Sequence, residues 1–399
     1  MRMSRRGALL GLTASFGLGG STLALAAAPT EKRLVVVILR GALDGMAAVV
    51  PYGDRNLTRL RGEIVPPRPD QPSGLFDLGG FYGLHPALGG LHDMYKANEL
   101  TIVHAVAASY RVRSHFEAQD YLESGADHRM TSGWLNRVVA AMPRLDSNKP
   151  EGDALAVGVT VPLLLRGPVQ VANWAPHGFG QPAPDLYAQI AALNQSDPLI
   201  GPAIHEGLRA RGFSAEVIID QETPAGEKPR DKYGFPALAR AAGELLAADD
   251  GPRIAALEIG GWDTHTQQAN RLNGPLGQLD TGLVALKTAL GGAWARTAVF
   301  VMTEFGRTAR VNGTKGTDHG TATVAFVLGG AVAGGKVRAT WPGLSDGQLF
   351  ETRDLAPTTD LRAVAKGVLQ AHLGLTVPAL GSVFPGSDPV QPMNGLIRT

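Results

Sequence analysis

Arg33-Leu34-Val35-Val36-Val37-Ile38-Leu39-Arg40-Gly41-Ala42-Leu43-Asp44-Gly45 is the stretch that decides the fold. From Leu34 to Leu39 no residue is polar, so a strand there has no face suited to water. Strands of that kind belong to sheets covered by helices on both sides, which is the habit of parallel sheets. The Gly-Ala-Leu-Asp-Gly that follows is turn material carrying a single carboxylate.

Four later runs share the pattern: Leu100 to Val106, Arg253 to Ile259, Ala298 to Met302 and Thr323 to Leu328. Helical patterns lie among them. Leu276, Leu279, Leu283, Leu286 and Leu290 form a stripe at helical spacing. Phe235 to Ala248 and Leu361 to Leu373 also read as helices. Strands alternating with helices predict an α/β fold, a doubly wound and mostly parallel sheet with helices on both faces. The Pro- and Gly-rich stretch from Arg55 to Pro86 reads as a long loop, and Asn173 to Pro184 as irregular. No linker divides the chain, so residues 27–399 are expected to form one domain.

The amino terminus has a different character. Arg5-Arg6 precedes a short, weakly apolar run from Gly11 to Leu25 that ends in Ala24-Leu25-Ala26. A basic start, an apolar middle and an Ala-x-Ala end make a secretory signal, here residues 1–26, and the paired arginines point to the twin-arginine route. The run falls short of the roughly 20 residues of a membrane span. The expected partner is therefore the twin-arginine export machinery. The expected location is periplasmic or otherwise extracytoplasmic, with no stable membrane span after cleavage. The chain has 399 residues, 44% of them hydrophobic and 18% charged, enough for a sizeable core. A net charge of +1 gives no sign of a nucleic-acid partner. The absence of cysteine excludes disulfides, thiolate ligands and a cysteine nucleophile. Any metal must be held by His, Asp, Glu or other oxygen donors.

In open α/β sheets, ligands bind beyond the carboxyl ends of the strands. Five polar clusters fall near such ends or in the loops between strands. Asp44 follows the first strand and suits either a metal or a helix cap. Ser114, in Arg113-Ser114-His115-Phe116-Glu117, precedes a helical stretch from Phe116 to Ser124. It suits a nucleophile at a helix N-terminus, or an ordinary N-cap with Glu117 at capping-box spacing. Asp263 and His265, after Gly260-Gly261, form a compact oxygen and nitrogen pair, or His265 packs on the next helix. Glu304 and Arg307 offer a carboxylate ligand and a bidentate anion grip, or simply an ion pair. Asp318-His319, between glycines, has little packing reason to exist. Asp318 could ligate, or orient His319. His104 lies inside a strand and reads as a satisfied core or near-site residue.

Taken together, Arg40-Gly41-Ala42-Leu43-Asp44-Gly45, Ser114-His115-Phe116-Glu117-Ala118-Gln119-Asp120, Gly260-Gly261-Trp262-Asp263-Thr264-His265, Thr303-Glu304-Phe305-Gly306-Arg307-Thr308 and Gly316-Thr317-Asp318-His319-Gly320 resemble, in order, the motifs of the domain-of-unknown-function family numbered 1501. That family is similar to the alkaline phosphatase and sulfatase superfamily. The resemblance implies a divalent metal (zinc, calcium, magnesium or manganese) and attack on a phosphate or sulfate ester. It implies metal ligands Asp44, Asp263, His265, Glu304, Asp318 and His319, a nucleophile Ser114, and Arg307 on the ester oxygens. Two departures accompany it. Asp263 and His265 are two apart rather than four, and Phe305 stands where the superfamily usually has a histidine. The expected activity is hydrolysis of a small-molecule or polymer ester. The alternative is a catalytically inactive envelope binding or assembly protein on the same fold.

Overall fold

A computed structural model describes residues 30–142, 154–176, 234–249 and 251–399. The proposed signal, residues 1–26, lies outside the described residues. The strands are β1 (Arg33–Leu39), β2 (Val49–Val50), β3 (Phe76–Asp77), β4 (Gly83–Leu84), β5 (Leu100–Ala107), β6 (Ala154–Val157), β7 (Ala172–Trp174), β8 (Ile254–Ile259), β9 (Thr297–Thr303), β10 (Thr323–Leu328), β11 (Lys336–Arg338) and β12 (Thr359–Asp360). The helices used below are α1 (Gly45–Ala48), α2 (Leu57–Arg61), α3 (Gly89–Lys96), α4 (His115–Ser124), α5 (Trp134–Ala141), α6 (Phe235–Ala247), α7 (Gln268–Arg271), α8 (Asn273–Leu290), α9 (Leu361–Val368) and α10 (Val377–Val383).

Strand β1 is central. It pairs in parallel with β8 on one side and β9 on the other, so that Val36 sits between Ala256 and Phe300. The sheet runs β11-β5-β10-β9-β1-β8-β6-β7, and β12 also pairs with β5. All these pairings are parallel except those of β10, which is antiparallel to both β9 and β5. This is the mostly parallel doubly wound sheet that the apolar runs predict. The two faces of β1 explain why it needs no polar residue. Val35, Val37 and Leu39 join Leu91, Leu245, Leu279 and Leu283 in one core, under α3, α6 and α8. Leu34, Val36 and Ile38 join Trp134, Val138, Val364 and Phe384 in the other, under α5, α9 and α10. Alternate side chains of a strand point to opposite faces, so the six residues Leu34 to Leu39 serve both layers, three to each.

Some elements differ from the expectation. The long excursion from Arg55 to Pro86 contains α2 and, with β2, a small β2-β4-β3 sheet. Short strands β6 and β7 complete one edge, and the stretch read as irregular from Asn173 begins inside β7. Its residues 177–184 lie outside those described. The helix expected from Leu361 to Leu373 is α-helical to Val368 and then widens into a π-turn over Leu369–Leu373. Among the described residues no helix is long and apolar enough to cross a membrane.

Candidate metal centre

One rim of the sheet gathers the polar clusters. The segments after β1, β8 and β9 emerge at the carboxyl ends of parallel strands and so at the same edge. Because β10 runs the other way, the loop before it opens at that edge too. The segments around Arg307 and His319 continue the β9–β10 pairing as an isolated antiparallel bridge. Gly320 N–H donates to the Gly306 carbonyl, and Thr308 N–H to the Asp318 carbonyl. This backbone ladder fixes His319 across from the end of β9. On the other side Gly41, with φ of +118°, lets the β1 turn approach the β8 turn. A Cβ there would lie 2.9 Å from the Asp263 nitrogen.

At the centre, His115, Asp263 and His319 each offer one ligand atom, all within 4.8 Å of one another. His115 Nε2 lies 3.0 Å from His319 Nε2, and Asp263 Oδ1 lies 3.2 Å from His319 Nε2 and 3.6 Å from His115 Nε2. His265 Nε2 reaches the same group, 3.0 Å from Asp263 Oδ1 and 3.1 Å from His319 Nε2. His115, His319 and Asp263 thus form the mutually close group, and His265 adjoins it through Asp263 and His319.

Behind each imidazole, the other ring nitrogen meets an oxygen. His115 Nδ1 is 2.8 Å from Glu304 Oε1, His265 Nδ1 is 3.2 Å from Asp318 Oδ1, and His319 Nδ1 is 3.0 Å from the Arg113 carbonyl. An oxygen acceptor at Nδ1 assigns the proton to that nitrogen and leaves the Nε2 lone pair pointing inward. The inward lone pairs repel one another and the Asp263 carboxylate. One cation at their meeting point relieves every one of these contacts, whereas a single proton serves one N···N pair at a time. The residues present therefore fit a divalent metal.

The supporting carboxylates are themselves held. Glu304 is fully buried and accepts from Gly41 N–H, Gln119 Nε2 and Thr303 Oγ1. Gln119 sits one helical turn after His115 in α4 and also accepts from Arg40. Burial pushes the Glu304 carboxyl up, but His115, Gln119 and the backbone donors outweigh it and hold it below its usual range. In return Glu304 raises the basicity of His115. Burial moves His319 the other way, down. Asp263 is held low because the Arg307 guanidinium overcomes the effect of burial. Asp318 is held low chiefly by its hydrogen bond from Asn312.

The structure brings together three residues expected as ligands, Asp263, His265 and His319, and adds His115, which was not expected. The two-residue spacing of Asp263 and His265 does not keep them apart. Glu304 and Asp318 stand behind the imidazoles, Asp318 against His265 rather than its neighbour His319. Asp44 is a correction. It is 1% exposed, caps α1 through Met46 N–H, pairs with Arg61 Nη1 at 2.7 Å and accepts from Gln268 at 2.6 Å, away from the cluster. Arg307 is a second correction. Its guanidinium, with no exposed side-chain surface, donates to the carbonyls of Gly41, Ala42, Trp262 and Thr317 and to Asp263. Its second Nη1 N–H faces His265 Nε2 at 3.5 Å, so the whole fork is turned onto protein groups. Ser114 is the N-cap of α4, half-buried, and makes no capping hydrogen bond. Phe305 packs 4.9 Å from the His115 ring and 5.1 Å from His319, walling the centre where a further ligand was missed. His104 is a satisfied core residue, its Nε2 on the Val49 carbonyl at 2.9 Å.

Fold and site define an α/β protein with a histidine-rich candidate metal centre on one rim of its sheet. By sequence the chain belongs to the family described as "Protein of unknown function (DUF1501)", which matches residues 103–383. No curated protein sequence matches it. Among solved structures it is similar to Ps i-CgsB, with a TM-score of 0.42 and 12% identity, covering 92% of this chain and 75% of that one. It is similar to PsFucS1 sulfatase from Pseudoalteromonas sp., with a TM-score of 0.40, 12% identity, and coverage of 92% and 74%. It is also similar to the phosphonate monoester hydrolase of Agrobacterium radiobacter, with a TM-score of 0.36, 11% identity, and coverage of 86% and 74%.

Proposed function

We propose that this protein is a metal-dependent hydrolase of phosphate or sulfate esters, exported by the twin-arginine route and working outside the cytoplasm. The observation that carries the reading is the convergence of the His115, His265 and His319 Nε2 atoms on Asp263 Oδ1. His115, His319 and Asp263 would hold the cation, with His265 beside them, and the ion when bound would supply Lewis-acid polarisation of an ester oxygen. Glu304, Asp318 and the Arg113 carbonyl keep the Nδ1 protons in place and the rings oriented. Ser114, beside His115 at the start of α4, is the proposed nucleophile. Its oxygen bonds to phosphorus or sulfur as the ester bond breaks, the serine proton passes to solvent and the departing alcohol takes one up. Water then cleaves the serine ester. Asp263 and His265 are 48% and 41% exposed at the side chain, more than His115 or His319, so substrate enters on their side.

The saturation of Arg307 by five protein acceptors favours a second reading, an envelope binding protein that keeps the metal centre without catalysis. One experiment separates the two. Metal-loaded protein is assayed against aryl phosphates and aryl sulfates beside Ser114→Ala and His319→Ala. Turnover lost in both variants supports the hydrolase. Full metal occupancy without turnover of either ester class supports the second reading.

A further inference from the structure

Beside the centre the chain leaves hydrocarbon in water. Phe116, directly after His115 in α4, is 88% exposed, and Val112, two residues before Ser114, is 62% exposed. We infer that Phe116 and Val112 form a binding lip for the apolar organic group of the bound ester, which makes esters of alkyl or aryl alcohols the substrate class. The inference rests on the hydrolase reading above and deepens it.

A single exposed hydrophobic residue is ordinary on a protein surface; an apolar pair flanking a site is not. Between residues 112 and 119 no other residue is exposed. The polar side chains there are engaged elsewhere. Arg113 donates to Asp354 and Glu351, Glu117 accepts from Tyr110 and Arg129, and Gln119 bonds Arg40 and Glu304. What this stretch turns outward around Ser114 is therefore apolar. Ser114 N–H donates to the Val112 carbonyl at 2.8 Å, so the chain bends tightly between Val112 and α4. Phe116 stands one helical turn before Gln119, and residues so spaced share a helix face. A third exposed side chain, Val159, follows β6 at the same strand-end edge. The segment after it is tied to α4, since Leu164 N–H donates to Glu123 Oε2 at 2.8 Å.

Other occupants fit less well. A sugar needs hydrogen-bonding groups at the lip, and the nearby ones already have partners. An anionic bilayer attracts an excess of basic residues. Residues 110–130 hold three arginines against four carboxylates.

The test uses full-length, metal-loaded protein titrated calorimetrically with n-alkyl phosphonates from methyl to hexyl, whose carbon–phosphorus bond resists hydrolysis. Affinity should rise about fourfold for each methylene that the lip covers. Phe116→Ser should cut the methyl-to-hexyl gain by about tenfold, and Phe116→Ser with Val112→Ser should cut it further. Both side chains are exposed, so the variants should keep the wild-type circular dichroism spectrum. Affinity that does not change with chain length overturns the inference, as does the absence of binding at any length. So does the full gain retained in the double variant, or a sugar phosphate bound more tightly than hexyl phosphonate. Capture of the protein by phosphatidylglycerol vesicles, without chain-length dependence for the free phosphonates, would overturn it in favour of a membrane surface. Chain-length-dependent binding without hydrolysis of aryl phosphates or sulfates would leave the lip standing and remove the hydrolase reading. Hydrolysis of methyl and hexyl phosphate with equal kcat/KM would do the reverse.

Discussion

Arg61 holds Asp44 at 2.7 Å, and both side chains are 1% exposed. The pair is not isolated. Arg61 also donates to the carbonyls of Thr308 and Ala309, so helix α2 is tied to the strand-end segment that carries Arg307. Asp44, directly after β1, serves architecture at a position where a metal ligand was expected.

Replacing one member of a buried pair strands the other. Arg61→Ala should destabilise the protein by about 3–5 kcal/mol. Asp44→Asn can keep the cap through its one carbonyl oxygen but sets an NH2 where Arg61 and Gln268 donate, so it should cost a comparable amount. Urea denaturation measures both, and metal analysis of the folded fraction of each should show undiminished binding. Loss of metal from a folded Asp44→Asn would return Asp44 to the centre.

Arg307 offers a sharper contrast. Its planar fork spans four backbone carbonyls on three loops and fixes Asp263. Lysine keeps the charge but not the fork. Arg307→Lys should lower the melting temperature through a loss of about 2–4 kcal/mol, since several buried carbonyls lose their donor. It should also weaken metal binding, because Asp263 loses its tether. A variant as stable as the wild type would contradict the bracing role.

The loop before β10 lies close over His265. A Cβ on Gly316 would come 2.1 Å from the His265 carbonyl oxygen, and Asn312 and Thr314 bond the same carbonyl. Gly316→Ala must push this loop away and move both His265 and Asp318. Affinity for a divalent metal, measured by calorimetry, should fall at least tenfold, in the range seen when supporting partners are lost. Unchanged affinity would show that the loop's placement does not matter to the centre.

Acid should weaken the fold through three histidines far from any ligand role. Burial pushes His85, His104 and His372 down to about 4 from an ordinary value of 6.5. In the folded state they stay neutral where the unfolded chain takes up protons. Stability is therefore complete above about pH 6.5 and falls as pH drops towards 4. His115, raised by Glu304, acts in the opposite sense, but one group does not offset three. Metal-free protein should lose about 2 kcal/mol per buried histidine between pH 7 and pH 5. Guanidinium midpoints at the two pH values check this, and equal midpoints would refute it.

Most of the fold was legible because its central strands are apolar on both faces. Five runs, from the one at Leu34 to the one at Thr323, became β1, β5, β8, β9 and β10. Short β6 and β7 escaped notice, since three or four residues carry no period. The site was half legible. Asp-x-His and Asp-His next to glycines have few packing uses, and those motifs supplied Asp263, His265 and His319. His115 was masked by its neighbour, because a serine before a helix draws the eye as cap or nucleophile. The one signal available was a histidine at the first position of α4, four residues before the glutamine that shares its face.

By itself the sequence determined the sheet, its two helical layers and which short motifs carry chemistry, because hydrophobic period and turn residues are local properties. Only the tertiary structure decided the roles within those motifs. The reversed direction of β10 brings the loop before that strand to the edge where the loops after β1, β8 and β9 emerge. There His115 and His319, 204 residues apart, meet at 3.0 Å, while Asp44 and Arg307 are claimed by partners distant along the chain. Whether a carboxylate faces an ion, a histidine or an arginine depends on which groups pack around it. That is set by long-range contacts and not by its neighbours in the chain.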